Sequence, residues 1–73
     1  MNLYQARKGR KVEVLVIVRD SESRRSVWLP GVITSRNFYR GIVRVELEGE
    51  DGKNFRVTVP CANDFELPRI RER

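Results

Sequence analysis

The chain lacks the residues that most catalytic and metal sites need. It contains no histidine, and Cys61 is its only cysteine. Without an imidazole base, neither this cysteine nor any serine has the partner that activates a nucleophile. One cysteine without histidine also falls short of a zinc ligand set and excludes an internal disulfide. We therefore expect a non-catalytic protein that uses no metal and no cofactor.

The chain is also short and lacks long apolar runs. It has 73 residues, of which 40% are hydrophobic, and the apolar blocks lie at 12–18, 27–33 and 42–47. None of the blocks approaches the roughly 18 residues that a membrane span needs. A lone cysteine is typical of a reducing compartment. We expect one small domain with no membrane partner, either a monomer or part of a larger protein.

Arginine is what the chain has in excess. Fifteen Lys and Arg against ten Asp and Glu give a formal net charge of +5, and twelve of the fifteen are arginine. Basic residues cluster at 7–11 and 69–73, with others spread between. The planar guanidinium binds phosphate through a fork of donors, so this composition favours a polyanionic partner such as nucleic acid. Solubility alone is the alternative explanation.

The hydrophobic pattern along the chain is that of β-strands. In the third strand, Val43, Val45 and Leu47 alternate with charged residues, which predicts one buried and one exposed face. Asp51-Gly52 is a hairpin signal between the third and fourth strands. Residues 61–65 are predicted to form one helical turn before the last strand. The strands predicted in this way are 11–19, 27–36, 42–48, 54–60 and 66–70.

Five short strands in about 60 residues are typical of a small, strongly bent barrel. Such a barrel needs a glycine or a bulge where a strand turns a corner, and Pro30-Gly31 lies midway along the second strand. A bend there would place Trp28 and Ile33 on different sheets of one core, and Phe55 is expected in the same core. The expected divisions are a basic N-terminal arm, the barrel and a basic tail, at 1–10, 11–69 and 70–73.

A series of short motifs covers about residues 8–69. Its members are Lys8-Gly9, Val12 to Val14, Trp28-Leu29-Pro30-Gly31-Val32-Ile33, 42–47, Asp51-Gly52, 55–59 and Phe65-Glu66-Leu67-Pro68. This series resembles the Tudor and Agenet domains. The resemblance implies an SH3-like barrel in a nuclear, chromatin- or RNA-associated binding module, which takes methylated lysine or arginine, or nucleic acid.

The resemblance also implies where a methyl-ammonium cage would lie, and the chain departs from the family there. The matching positions are 16–17, 27, 29 and 47–51, and none of them is aromatic. A cage needs several aromatic faces around the cation, because the ring quadrupoles supply the attraction. Trp28 is therefore expected to be structural, as a core or half-buried residue of the barrel. A histone-tail reader is the alternative, with an atypical site made by Trp28, Tyr39, Glu48 and Asp51.

Segment 35–41, SRNFYRG, joins arginines with two aromatic residues around a predicted turn at 37–41. Arginine contacts phosphate, and an exposed ring stacks on a base. Arg36 and Arg40 are expected in this exposed turn. We predict a nucleic-acid surface for DNA rather than RNA, with little sequence specificity, made by Arg24, Arg25, Arg36, Tyr39, Arg40, Arg44 and Arg71. A protein-docking barrel whose exposed edge adds a partner strand is a further alternative.

Overall fold

Five antiparallel strands and one 3-10 turn make up the structure, a computed structural model that describes residues 1–73. The elements are β1 (Lys11–Arg19), β2 (Arg24–Asn37), β3 (Ile42–Glu48), β4 (Asn54–Pro60), the turn (Asn63–Phe65) and β5 (Ile70–Glu72). The strands form one open sheet in the order β4-β3-β2-β1-β5. The predicted all-β class, with five strands and a helical turn before the last, is confirmed. No helix is long and apolar enough to cross a membrane.

The hairpin between β1 and β2 is tighter than the sequence predicted. The Oδ1 atom of Asp20 accepts hydrogen bonds from the backbone N–H groups of Glu22 (3.2 Å) and Ser23 (2.9 Å). These bonds hold the pKa of the Asp20 carboxyl below its ordinary value of 3.8, and the bond from Glu22 has the largest effect. They lower the pKa because they stabilise the charged form. Pairing therefore begins at Arg19 and Arg24, three residues before the predicted start of the second strand.

The hydrophobic core includes residues that were expected to lie outside the barrel. Leu3 and Ala6 are 0% exposed, and the N–H of Leu3 donates to the carbonyl of Phe65 at 2.8 Å. Residues 1–10 are thus a packed segment rather than a free arm, which corrects the expected division. The core residues are Leu3, Ala6, Val12, Val14, Ile33, Val43, Val45, Leu47, Val59, Leu67 and Ile70.

The last strand also lies later than predicted. Leu67 donates its N–H to the carbonyl of Met1 at 2.7 Å, and Glu66 forms a bridge with Asn2. Because residues 66–67 pair with the N-terminal segment, only the chain from Ile70 onwards reaches β1. The expected strand at 66–70 is wrong, and most of the expected tail at 70–73 is β5.

Phe55 lies outside the core in which it was expected, whereas Trp28 takes the half-buried position that was one of its two expected placements. Phe55 pairs with Leu47 and so shares the inner face of the sheet, yet it is 42% exposed. It lies on the terminal strand β4, where no further strand covers it. Trp28 pairs with Leu15 on the outer face and is half-buried. It does not share a core with Ile33.

Gly31 has a different role from the predicted strand bend. The irregularity of β2 lies between Ile33 and Ser35. At Gly31 the strand instead comes close to β3, and an added Cβ would lie 2.6 Å from both the carbonyl oxygen of Glu46 and the Cδ2 atom of Leu47. Only a residue without a side chain fits between these groups.

We expect Gly31→Ala to lower the free energy of unfolding by about 1–3 kcal/mol, the usual cost of overpacking. The carbonyl of Glu46 belongs to the β3 backbone and cannot move away without disturbing the ladder. Urea unfolding followed by Trp28 fluorescence measures the effect. Ser35→Ala on the exposed part of the same strand is the control and should change stability by less than about 0.5 kcal/mol. Equal stability of the two variants would show that β2 has room at Gly31.

Candidate nucleic-acid interface

A shift in strand register decides which way Arg36 points. The pairing of β2 with β3 changes by one residue between Ile33 and Ser35. An extra residue in one strand reverses the face on which all later side chains lie. Arg36 therefore pairs with Val43 and shares the inner face with this core residue.

The guanidinium of Arg36 holds the N-terminal segment in place. Its Nη1 atom donates hydrogen bonds to the carbonyl oxygens of Leu3 (3.2 Å) and Tyr4 (2.9 Å). Its Cζ atom lies 4.8 Å from the ring centre of Phe38. The expectation that Arg36 lies in an exposed turn is wrong, because it is a half-buried residue of β2. Its first role is structural.

Three aromatic rings pack together at this end of the core. The ring centres of Tyr4 and Phe38 are 5.1 Å apart, and Phe65 lies 5.7 Å from Tyr4 and 6.1 Å from Phe38. These are distances of direct ring contact, so no space for a methyl-ammonium group remains between the rings. Phe65 has a φ of 59°, a left-handed conformation that costs an L residue roughly 1–2 kcal/mol. Its two ring contacts offset this cost.

Arg40 of the 38–41 turn and Arg44 of β3 line a shallow groove at the β2–β3 hairpin. Arg40 and Arg44 lie in it, and neither belongs to the three ion pairs of the structure, which involve Arg10, Arg25 and Arg71. The groove has a volume of about 440 Å³ and is lined by Ser35, Arg36, Asn37, Arg40, Ile42 and Arg44.

A hydrogen bond to the last residue of β2 stabilises the turn that carries Tyr39 and Arg40. The Oδ1 atom of Asn37 accepts a hydrogen bond from the N–H of Arg40 at 3.0 Å. Tyr39 is 99% exposed at the tip of the turn. Its ring therefore makes no packing contribution to the core and is fully accessible to a ligand.

The basic N-terminal segment lies beside this groove, which sequence reasoning missed. Gly9 donates its N–H to the carbonyl of Ile33 (2.7 Å), and Ile33 donates to that of Arg10 (3.1 Å). Lys11 pairs with Val32 on the outer face, and Val32 pairs in turn with Glu46 of β3, which places Lys11 two strands, or roughly 10 Å, from β3. The alternation of β1 could have placed Lys11, because neighbouring residues of a strand point to opposite faces and Val12 points inward. We call Lys11, Arg40 and Arg44, with Tyr39 at the rim, the basic face.

Two of the predicted arginines lie at the far end of the sheet. Arg24 pairs with Arg19 at the closed end of the first hairpin. The Nη2 atom of Arg25 donates to both carboxylate oxygens of Glu50 at 2.8 Å. Since β1 rises about 3.3 Å per residue, Arg19 and Lys11 are roughly 26 Å apart. The structure does not bring Arg24 and Arg25 to the basic face.

Arg71 is engaged with Trp28 rather than free. Its Nε atom donates to the Oε1 atom of Glu13 at 2.9 Å, and its Cζ atom lies 3.9 Å from the ring centre of Trp28. The contact is a cation–π interaction within the domain. One face of the Trp28 ring is therefore already covered by a cation.

The residues of the alternative peptide site are not brought together. Tyr39 lies in the turn before β3, whereas Glu48 ends β3 and Asp51 follows it. Trp28 lies eleven residues before Tyr39 along the single strand β2 and its turn. Trp28, Glu48 and Asp51 thus lie towards one end of the sheet and Tyr39 at the other.

The comparisons with known proteins add no relative. The chain matches no family model, no curated protein and no solved structure. The five-stranded antiparallel sheet agrees with a barrel-like fold, and membership of the Tudor or Agenet family stays a prediction. No group of three or more His, Cys, Asp or Glu side chains is placed to hold a metal ion.

We expect Arg36→Ala to destabilise the domain by about 1–3 kcal/mol, because it removes two charge-assisted hydrogen bonds to backbone carbonyls and the contact with Phe38. Thermal unfolding followed by circular dichroism measures the loss. Arg40→Ala is the matched control, since it removes the same charge from an exposed turn, and should change stability by less than about 0.5 kcal/mol. A similar loss in both variants would contradict the structural role of Arg36.

Proposed function

We propose that this domain is a non-catalytic module that binds nucleic acid through the basic face. The observation that carries the proposal is that Arg40 and Arg44 converge on one groove and have no acidic partner. A guanidinium already paired with a carboxylate would have to give up that pair before it bound phosphate. These two arginines bind phosphate without such a loss.

The neighbours of Arg44 also suit phosphate contact. Arg44 is directly paired with Ser35 of β2 on one side and with Thr58 of β4 on the other. The three side chains therefore form one row on the outer face. Hydroxyl groups and arginine are among the usual donors to phosphate oxygens. The row therefore offers several donors along a line that a nucleic-acid backbone can follow.

Weak sequence preference follows from the same architecture. A small sheet offers no helix to enter the major groove, where base pairs are distinguished. Tyr39 offers a stacking surface, and every base has a π-face, so stacking tolerates any sequence. DNA is proposed ahead of RNA. A chromatin-associated, nuclear setting belongs to the same proposal and rests on the Tudor-like resemblance.

We expect binding to weaken steeply with salt and to depend on Arg40 and Arg44. Three to four neutralised phosphates give a slope of about −3 for the logarithm of affinity against the logarithm of salt concentration. Arg40→Glu combined with Arg44→Glu should remove most of the binding to a fluorescein-labelled 20-mer, measured by fluorescence anisotropy.

The matched control is Arg19→Glu combined with Arg24→Glu, which changes the net charge equally at the other end of the sheet. It should retain most of the affinity. Equal loss in both double variants would mean that net charge alone attracts the DNA. No loss in either would show that the arginines only keep the protein soluble.

We expect Tyr39→Ala to weaken binding of single-stranded DNA by about 5- to 100-fold, which corresponds to roughly 1–3 kcal/mol for one stacked base. Duplex DNA, whose bases are already stacked, should lose little. Because Tyr39 is 99% exposed, the fold should be unchanged. Tyr39→Phe keeps the ring and should keep the affinity. An equal effect on single strands and duplex would exclude base stacking.

A further inference from the structure

The sheet leaves a gap between its two edges that no segment of the chain fills. β4 is the terminal strand and pairs only with β3. β5 pairs with β1 at Val12–Val14, and Leu15 donates its N–H to the carbonyl of Arg69 at 2.8 Å, so only the second half of β1, from Val16 onwards, has no neighbouring strand on that side. We call the gap between β4 and this half of β1 the seam.

Apolar side chains line the seam. Two adjoining concavities run along it, and they share Val16, Ile17 and Val57. Ile17 is 58% exposed and Phe55 is 42% exposed, although the core elsewhere is closed. A contiguous exposed apolar strip on a small domain marks a surface for interaction.

The backbone of β4 presents unused hydrogen-bonding groups to the seam. Cys61 donates its N–H to the carbonyl of Gly41 at 2.8 Å, and Gly49 donates to that of Lys53 at 2.9 Å. Backbone N–H and C=O groups alternate in direction along a strand. These two bonds therefore show which residues of β4 point their backbone groups towards β3. The odd-numbered residues of β4 bond to β3. The N–H and C=O groups that point away from β3 belong to Asn54, Arg56 and Thr58.

We propose that the β4 edge binds an extended peptide of another protein, in which acidic and apolar residues alternate, as an added antiparallel strand. Directly paired side chains share a face. Apolar residues of the peptide would therefore cover Phe55 and Val57, and a carboxylate would lie beside Arg56 on the outer face. Glu46 lies directly opposite Arg56 on β3, but the two side chains form no ion pair, so the guanidinium is available on the open side of β4.

A second copy of the chain fits this edge poorly. The two-fold register that uses all three free residues pairs Arg56 of one copy with Arg56 of the other. Like charges directly opposite each other are destabilising, and each chain carries a net charge of +5. Pro60 has no N–H and ends the edge ladder, so the register cannot move further along β4. An acidic partner meets neither obstacle.

The experiment uses two synthetic seven-residue peptides, one alternating Glu with Val and one alternating Lys with Val. Titration is followed by amide NMR shifts of the full chain. The Glu/Val peptide should shift Asn54, Arg56 and Thr58 and bind about five- to tenfold more tightly than the Lys/Val peptide. Arg56→Glu should reverse this preference. A reversed preference would not arise from the net charge of the domain alone.

A backbone variant separates strand addition from simple charge attraction. Thr58→Pro removes an N–H that does not bond to β3, so the domain should still fold, as proline is tolerated at such edge positions. Binding should be lost.

Retained binding in Thr58→Pro, shifts confined to the basic face, or no binding at millimolar peptide would overturn the proposal. Dimerisation of the free chain in sedimentation would instead assign the edge to a second copy. The peptide titrations do not test the nucleic-acid proposal, which is tested by the Arg40 and Arg44 variants. Because Thr58 lies beside Arg44, Thr58→Pro is used only with the peptides.

Discussion

The one-residue register shift between Ile33 and Ser35 is the constraint on which the rest of the structure depends. It turns Arg36 from the outer to the inner face, where its guanidinium reaches the carbonyls of Leu3 and Tyr4. The N-terminal segment is thereby held across the end of the core. The same shift leaves Ser35 beside Arg44 on the outer face. One extra residue thus closes the core on one side and shapes the groove on the other.

Local patterns predicted the strands well and the burial of their residues less well. The alternation of Val43, Val45 and Leu47 gave both the strand and its buried face, because β3 is paired on both sides. Phe55 has the same alternation and the expected face, yet it is exposed, since burial also needs a covering strand that β4 lacks. Leu3 and Ala6 belong to no periodic pattern, so no period could place them in the core.

The candidate site was harder to predict because net charge counts every arginine alike. In the structure, some arginines form ion pairs with residues distant in sequence: Arg25 pairs with Glu50, and Arg71 pairs with Glu13. Such pairs depend on how strands and turns come together, which alternation within one strand does not reveal. Arg44 could be predicted, since its inward neighbours fix its direction. Arg36 could not, because no glycine marks the bulge that turns it inward.

The open seam links recognition to stability. Only thirteen of the 73 residues are buried, and a core of this size gives a small domain little reserve of stability. Phe55 and Val57 line the seam instead of completing the core. A strand bound to β4 would bury both side chains, and a ligand that binds only the folded state stabilises it. Phosphate bound at the basic face would bury little apolar surface. The two surfaces should therefore stabilise the fold through different physical terms: peptide binding at the seam through apolar burial, with a negative heat-capacity change, and DNA binding through salt-dependent charge neutralisation.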